Sequence, residues 1–207
     1  MIIARGEPSQ AILHVAAKHK VDLIITGITR SGAFDRFFAG ATVNSLIRNA
    51  SVPVLVVKNR PRRDYRRIVV TTDLSEASQS AFAATLRLFP DSDVILFHTF
   101  RTPGRGLAHN NHSIRQFRQM EERHVHAFLL NCALRTKFDD TRVEVIVEHG
   151  ELGWLLRDYV RAKRIDLVVS GTHGLAALVE VVIGSVAKRL LDTVPCDMMI
   201  VRQLQGA

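Results

Sequence analysis

The chain has 207 residues, enough for one or two domains, and it carries a formal net charge of +8. Apolar residues make up 47% of the chain and aromatic residues only 6%, a composition typical of α/β proteins with buried parallel strands. A membrane span is not expected, because the richest apolar segment, 175–187, is interrupted by Glu180 and Gly184. A secretory signal is not expected either, because the N-terminal apolar segment is too short for one.

The surplus positive charge is concentrated in one block, 58–67. We expect this block to be a solvated linker between domains; contact with nucleic acid or an anionic membrane surface is the alternative, although no nucleic-acid motif supports it. The chain has two cysteines, Cys132 and Cys196, and both fall in apolar patterns. They are therefore expected to be inert core thiols, which fits a reducing cytoplasm.

The first 58 residues predict a short α/β segment. Residues 1–5 are expected to form a strand, and a helix then leads from Gly6 to the apolar strand 21–27. A second apolar strand, 54–57, follows a Val-Pro pair. These elements are too few to close a sheet of their own.

The rest of the chain alternates regularly between strands and helices. The expected strands are 67–72, 93–99, 143–148, 165–170 and 198–201. The expected helices are 76–88, 113–135, 151–164 and 184–191, the first of them capped by Ser75. With right-handed crossovers, this order predicts an α/β fold with a doubly wound, parallel, five-stranded sheet covered by helices on both faces.

The two segments repeat each other at an offset of 144 residues. Four pairs of residues carry the repeat: Gly6 and Gly150, Asp22 and Asp166, Gly27 and Gly171, Gly40 and Gly184. We therefore divide the chain into a partial unit, 1–60, and a complete unit, 61–207. Either the chain is a fragment or mis-started version of a longer one, or the partial unit completes its sheet against the other unit or another chain.

A glycine pattern follows the strand 165–170. Gly171-Thr172-His173-Gly174 is followed, after nine residues, by Gly184-Ser185 at the start of a helix. Glycines let the backbone approach phosphate oxygens, and the free N–H groups of a helix start favour an anion. Asp73 ends the strand 67–72, which should neighbour 165–170 at the switch point of the sheet. The pattern predicts a nucleotide site; an ordinary turn is the alternative for the first two glycines alone.

These segments resemble the universal stress protein family. The resemblance rests on 68–75, on 96–99 and on the complete G-x2-G-x9-G-S/T signature at 171–185; it covers 64–203 as a whole domain and 1–58 as the C-terminal part of another. It implies a Rossmann-like fold of the adenine nucleotide alpha hydrolase type, ATP binding in some members, and a regulatory role in the stress response. It also implies a homodimer or an intramolecular pseudo-dimer through the terminal strands, since tandem members pair two domains in one chain. A nucleotide-independent dimerisation or scaffold module is the alternative.

The resemblance also implies which residues bind the nucleotide: Thr71, Thr72, Asp73, Thr99, Ser170, Gly171, His173, Gly174, Gly184, Ser185 and Val186. The main chain of Thr71 and Thr72 would contact the base, and Thr99 matches a position that touches adenine. Asp73 would accept ribose hydroxyls or reach a Mg²⁺ ion bridging the phosphates, with helix capping as its alternative. His173 would contact phosphate, or else be an ordinary exposed loop histidine.

The first copy departs from the signature, because Arg30 replaces the second glycine and Ala41 the hydroxyl residue. A complete nucleotide site is therefore not expected there. Eleven positions run from Gly184 to Pro195, two fewer than between the matching residues of the first copy, so a shorter last helix is expected.

Catalysis has little support in the sequence. Neither a nucleophile with its base nor a pair of converging carboxylates is apparent, and at most slow ATP hydrolysis is expected. Four histidines crowd one region, His109, His112, His124 and His126. We interpret them as part of a polar loop and helix face rather than as metal ligands.

Overall fold

The computed structural model describes residues 2–3, 5–30, 37–38, 40–60, 63–102, 111–136, 138, 143–172 and 185–203. The helices in this part of the chain are α1 (Pro8–His19), α2 (Ala41–Asn49), α3 (Glu76–Leu88), α4 (Asn111–Thr136), α5 (Leu152–Lys163) and α6 (Ser185–Thr193). The strands are β1 (Ile24–Gly27), β2 (Thr29–Arg30), β3 (Phe37–Phe38), β4 (Val54–Val57), β5 (Arg67–Thr72), β6 (Asp93–Phe100), β7 (Val143–His149), β8 (Leu167–Gly171) and β9 (Asp197–Val201).

Among the described residues, seven strands form one sheet in the order β1-β4-β9-β8-β5-β6-β7, and β2 pairs with β3 in a separate two-stranded antiparallel sheet. From β9 to β7 every neighbouring pair of strands is parallel. The first strand of this unit, β5, lies in the centre between β8 and β6. The predicted doubly wound parallel sheet of five strands is therefore confirmed, and two further strands extend it.

The extension is made by antiparallel pairing of β4 with β9. Leu55 lies opposite Met199, and the pairs on either side are symmetric about these two residues. Because Leu55 and Met199 are related by the 144-residue offset, a pseudo-twofold axis passes between them. The first segment thus completes its sheet against the second within one chain, and β1, parallel to β4, forms the outer edge.

The repeat extends to the lengths and caps of the helices. Both α1 and α5 have 12 residues, and each follows a glutamate, Glu7 or Glu151, whose carboxylate accepts hydrogen bonds from N–H groups of the first turn. Each ends in a left-handed residue, Lys20 (φ 50°) or Arg164 (φ 51°). The same local sequence signals therefore start and stop the two helices in the same way.

The expected shortening of the last helix is wrong. Both α2 and α6 have 9 residues, and their bounds keep the offset of 144. The pairing of β4 with β9 keeps it as well. Pro53 and Pro195 therefore do not occupy equivalent positions, which is why counting from the prolines suggested a deletion.

The strand expected at 1–5 is not formed in its described residues. Ile2 and Ile3 lie outside any strand and are 59% and 83% exposed. In the second unit the equivalent segment belongs to β7, which pairs with β6. The described part of the first segment has no counterpart of β6, so the backbone groups of Ile2 and Ile3 find no ladder to join.

Apolar side chains fill both faces of the sheet. One face packs against α2, α5 and α6, with Leu46, Leu156 and Leu190 fully buried. The other packs against α3 and α4, around Phe82 and Val125. Burial on both faces explains why the central strands are continuous runs of Val, Ile and Leu rather than alternating sequences.

The basic block is anchored to the sheet rather than wholly solvated. Asp197 at the start of β9 accepts hydrogen bonds from the N–H of Lys58 (2.8 Å) and of Asn59 (3.0 Å) and from the hydroxyl of Tyr65 (2.7 Å). The Lys58 side chain is buried and donates to the carbonyl of Val194 at 2.6 Å. This corrects the expectation of a solvated linker at its first residues.

Candidate functional site

The carboxyl ends of β5, β6 and β8 lie side by side at one edge of the sheet. Val70 of β5 pairs with Val169 of β8, and Thr72 pairs with His98 of β6. The chain leaves β5 at Asp73 and β8 at Thr172, so both predicted segments lie next to each other, as the switch-point argument required. Thr99, half-buried on β6, lies at the same edge and pairs with Glu148 of β7.

Asp73 takes part in the start of helix α3. Its Oδ1 accepts hydrogen bonds from the N–H (3.2 Å) and the hydroxyl (2.5 Å) of Ser75. Ser75 is the N-cap of α3, and its own hydroxyl oxygen accepts from the N–H of Ser78. Asp73 therefore takes part in capping the start of α3, which is the role that the sequence left open as the alternative to ligand binding. The carboxylate remains half-buried at the sheet edge.

The two threonines before Asp73 turn their side chains inward. Thr72 donates its hydroxyl to Ser78 (2.9 Å) and accepts from the N–H of Leu74 (2.9 Å), while the hydroxyl of Thr71 points at the carbonyl of Val169 (3.4 Å). Leu74 has a φ of 67°, in the left-handed region. These contacts fix the turn, so that only the main chain of the threonines is suited to contact a ligand.

Gly171 is required by the packing of α3 on β8. A Cβ atom placed on it would lie 2.9 Å from the carbonyl oxygen and 3.2 Å from the Cβ of Ala77, in the first turn of α3. Its neighbour Ser170 is buried and donates to the carbonyl of Gly171, and the N–H of Thr172 donates to the carbonyl of Val201. The close approach that we expected for a phosphate is, at this glycine, an approach to a helix.

The second half of the glycine signature lies partly outside the described residues. His173, Gly174 and Gly184 belong to the part of the chain that the structure does not describe. Helix α6 begins at Ser185, and Val186 in its first turn is exposed. Because β8 and β9 are parallel, the connecting helix runs back along them, so its N-terminus lies at the same edge of the sheet as Asp73.

One residue at this edge was missed as a site residue by the sequence analysis. His98, buried on β6, has Nδ1 2.9 Å from the carbonyl oxygen of Thr72 and Nε2 3.3 Å from the carboxylate of Glu121 on α4. It ties the end of β5 to a helix on the face of the sheet. Its position as a polar residue within the apolar strand 93–99 was the signal that could have identified it.

The remaining candidates show no chemistry at this edge. Cys132 and Cys196 are both buried free thiols, and burial raises their pKa values to about 11 and about 12. Among the described residues, no group of three or more His, Cys, Asp or Glu side chains is arranged to hold a metal ion. His124 is 3.4 Å from Glu121 on the same helix, and His109 lies outside the described residues. No helix in the described part of the chain is long and apolar enough to cross a membrane.

Comparisons with known proteins agree with this architecture. A universal stress protein from Mycolicibacterium smegmatis is 27% identical over 199 residues, which cover 91% of this chain and 64% of that protein. This chain thus spans less than two thirds of that relative. A universal stress protein structure from Pseudomonas aeruginosa superposes with a TM-score of 0.69 at 17% identity, covering 96% of this chain and 69% of the other.

A shorter structure is matched over its whole length. The universal stress protein UspA from Lactobacillus plantarum superposes with a TM-score of 0.54 at 20% identity, covering 68% of this chain and 100% of that protein. The model of the universal stress protein family matches residues 1–58 and 64–202, almost the entire sequence. The chain therefore belongs to the universal stress protein family.

Proposed function

We propose that the chain binds an adenine nucleotide, ATP, at the edge formed by the carboxyl ends of β5, β6 and β8, and that it acts as a regulatory protein in the stress response. The observation that carries the proposal is the pairing of β5 with β8, which brings Asp73 next to the start of the glycine signature. In open α/β sheets, ligands bind in the crevice at such a switch point.

Different elements at this edge would bind the phosphates, the sugar and the base of the nucleotide. Main-chain amides of 171–186 would hold the phosphates, helped by the positive end of the α6 dipole. A carboxylate and the phosphates repel each other. Asp73 would therefore lie at the sugar, where it would accept hydrogen bonds from the ribose hydroxyls, or beside a Mg²⁺ ion that neutralises the phosphates. The main chain of Thr71 and Thr72, with Thr99, would face the base.

The contacts of Asp73 with Ser75 are compatible with this role. A carboxylate has about four lone-pair sites, and the hydrogen bonds from Ser75 both fall on Oδ1. Holding one oxygen in the turn before α3 fixes the direction of the other. Such a carboxylate is pre-oriented, which lowers the entropic cost of ligand binding.

Isothermal titration of ATP tests the proposal. We expect the wild type to bind ATP. Gly174→Glu should lose binding, because it would place a negative side chain among the amides proposed to bind the phosphates. Asp73→Asn should bind ATP about tenfold or more weakly. Asp158→Asn is the matched control, because this aspartate lies exposed on α5 and should leave the affinity unchanged. A melting curve of each variant separates lost affinity from lost folding. Equal binding by the wild type and Gly174→Glu would reject this site.

We further infer that residues 1–60 form a partial domain and 61–207 a complete domain of a tandem arrangement. Support comes from the antiparallel β4–β9 pair and from the offset of 144 residues that relates the two halves. In this view the chain is its own pseudo-dimer. The first half, with Arg30 and Ala41 in the signature, would contribute structure rather than a second nucleotide site.

The same β4–β9 pair favours a second candidate function, a scaffold that works without nucleotide. Mass spectrometry of the purified, gently denatured protein distinguishes the two. Co-purified adenine nucleotide supports the first proposal. Absence of nucleotide, no ATP binding in the titration, and unchanged stability and assembly on adding ATP would favour the scaffold.

A further inference from the structure

The turn between β5 and α3 contains a residue in a conformation that its side chain disfavours. Leu74 has a φ of 67°, in the left-handed region, where the Cβ atom crowds the following carbonyl oxygen. Such a conformation persists where the surrounding contacts fix it. Asp73, which we propose to contact the nucleotide, directly precedes this residue. The contacts that hold the turn therefore determine where the Asp73 carboxylate lies.

Two elements of the fold hold the turn through Thr72. From α3, Ser78 accepts a hydrogen bond from the Thr72 hydroxyl (2.9 Å), whose oxygen also accepts from the N–H of Leu74 (2.9 Å). From β6, Nδ1 of His98 lies 2.9 Å from the carbonyl oxygen of Thr72, and both residues are buried. A carbonyl oxygen can only accept, so Nδ1 is the donor. Because that carbonyl belongs to the peptide group joining Thr72 to Asp73, His98 fixes the plane of this peptide group.

The imidazole ring of His98 is itself held in place by helix α4. Its Nε2 lies 3.3 Å from Oε2 of Glu121, whose side chain is 20% exposed. His124, one turn further along the helix, has Nδ1 3.4 Å from the same carboxylate oxygen. A partner on the second ring nitrogen sets the orientation of a histidine, so α4 aligns the ring that holds the turn.

We propose that His98 is a positioning residue of the nucleotide site: it orients the Thr72–Asp73 peptide group so that Asp73 meets the sugar and the main chain of Thr72 meets the base. This role rests on the proposed function, because Thr72 and Asp73 are the residues proposed to contact the ligand. The bond from Nδ1 to the Thr72 carbonyl carries the effect, and the contact of Nε2 with Glu121 keeps the ring aligned. His98 acts through Thr72 and needs no contact with the nucleotide.

Two conservative variants separate the contacts of the two ring nitrogens. The side-chain amide of asparagine reaches the position of Nδ1 and that of glutamine the position of Nε2, so His98→Asn keeps a donor for Thr72 and His98→Gln keeps one for Glu121. In isothermal titration, His98→Asn should bind ATP within about threefold of the wild type, whereas His98→Gln should bind about tenfold or more weakly. Each variant loses one of two contacts, so their melting temperatures should be similar and only the affinities should differ.

Amide hydrogen exchange of the protein without nucleotide tests the turn directly. The N–H groups of Leu74 and Ser75 both donate to side chains within the turn. They should exchange about tenfold or more faster in His98→Gln than in the wild type, and at nearly the wild-type rate in His98→Asn. The amide of Leu156, in the buried part of α5, is the reference and should exchange at the same rate in both variants.

The two measurements separate failure of this role from failure of the nucleotide site. Equal affinities of the two variants for ATP would overturn the positioning role, as would weaker binding by His98→Asn than by His98→Gln. If the wild type itself does not bind ATP, the proposed function fails, and hydrogen exchange alone then decides whether His98 holds the turn. Equal exchange of Leu74 and Ser75 in both variants would show that it does not.

Discussion

Gly171 and Gly27 are related by the repeat, yet an added methyl group would meet different surroundings at the two positions. At Gly171 the new Cβ would lie 2.9 Å from the Ala77 carbonyl oxygen, whereas at Gly27 nothing lies within 4 Å. We predict that Gly171→Ala lowers the free energy of unfolding by about 1–3 kcal/mol, because α3 must move away from β8. Gly27→Ala is the matched control and should change it by less than about 1 kcal/mol. Urea denaturation measures both, and equal effects would contradict the packing role of Gly171.

His98 is a second residue whose role depends on contacts between distant segments. Replacing it by leucine leaves the buried Thr72 and the partly exposed Glu121 carboxylate without their histidine partner. We predict that His98→Leu lowers the free energy of unfolding by about 2–4 kcal/mol. His124→Leu, at an exposed position on α4, should cost less than about 0.5 kcal/mol. Urea denaturation of both variants gives the comparison, and a His98 effect no larger than that of His124 would contradict the assignment.

Local sequence signals predict most of the elements, and they fail where an element depends on a partner. The helix expected at 76–88 is observed as Glu76–Leu88, since Ser75 and the first turn define its start. Residues 1–5 resemble a strand but form none in their described part, because pairing decides whether an apolar run becomes a strand. The candidate site follows the same division. Asp73 and the glycines were visible in the sequence, whereas the tie from His98 to Glu121 joins residues far apart in the chain.

The basic segment between β4 and β5 begins with a buried residue, Lys58. Burial lowers the pKa of Lys58 to about 8, while Asp192 and Asp197 act in the opposite direction. Burial also raises the pKa of Asp192. Above pH 8 the folded protein releases the lysine proton that the unfolded chain keeps up to about pH 10.4. The unfolded state then binds more protons, so Lys58 makes stability rise with pH in this range.

We therefore predict a pH-dependent difference between the wild type and Lys58→Met. From pH 8 to pH 10 the free energy of unfolding of the wild type should increase relative to the variant by up to about 2 kcal/mol. Chemical denaturation at several pH values measures the difference, in which the contributions of other groups largely cancel. Lys18→Met, on the exposed surface of α1, is the control and should give a constant difference. A constant difference for Lys58 as well would contradict its burial.

At the scale of the whole molecule, the β4–β9 pair joins two related halves in one chain. In a dimer of identical subunits every substitution appears twice, and both binding sites change together. Here Leu55 and Met199, which face each other at the axis, are already different residues. Covalent joining thus allows one half to diverge while the other keeps the complete glycine signature, as Arg30 and Ala41 in the first glycine pattern illustrate. Each half can therefore change on its own, which identical subunits encoded by one sequence cannot do.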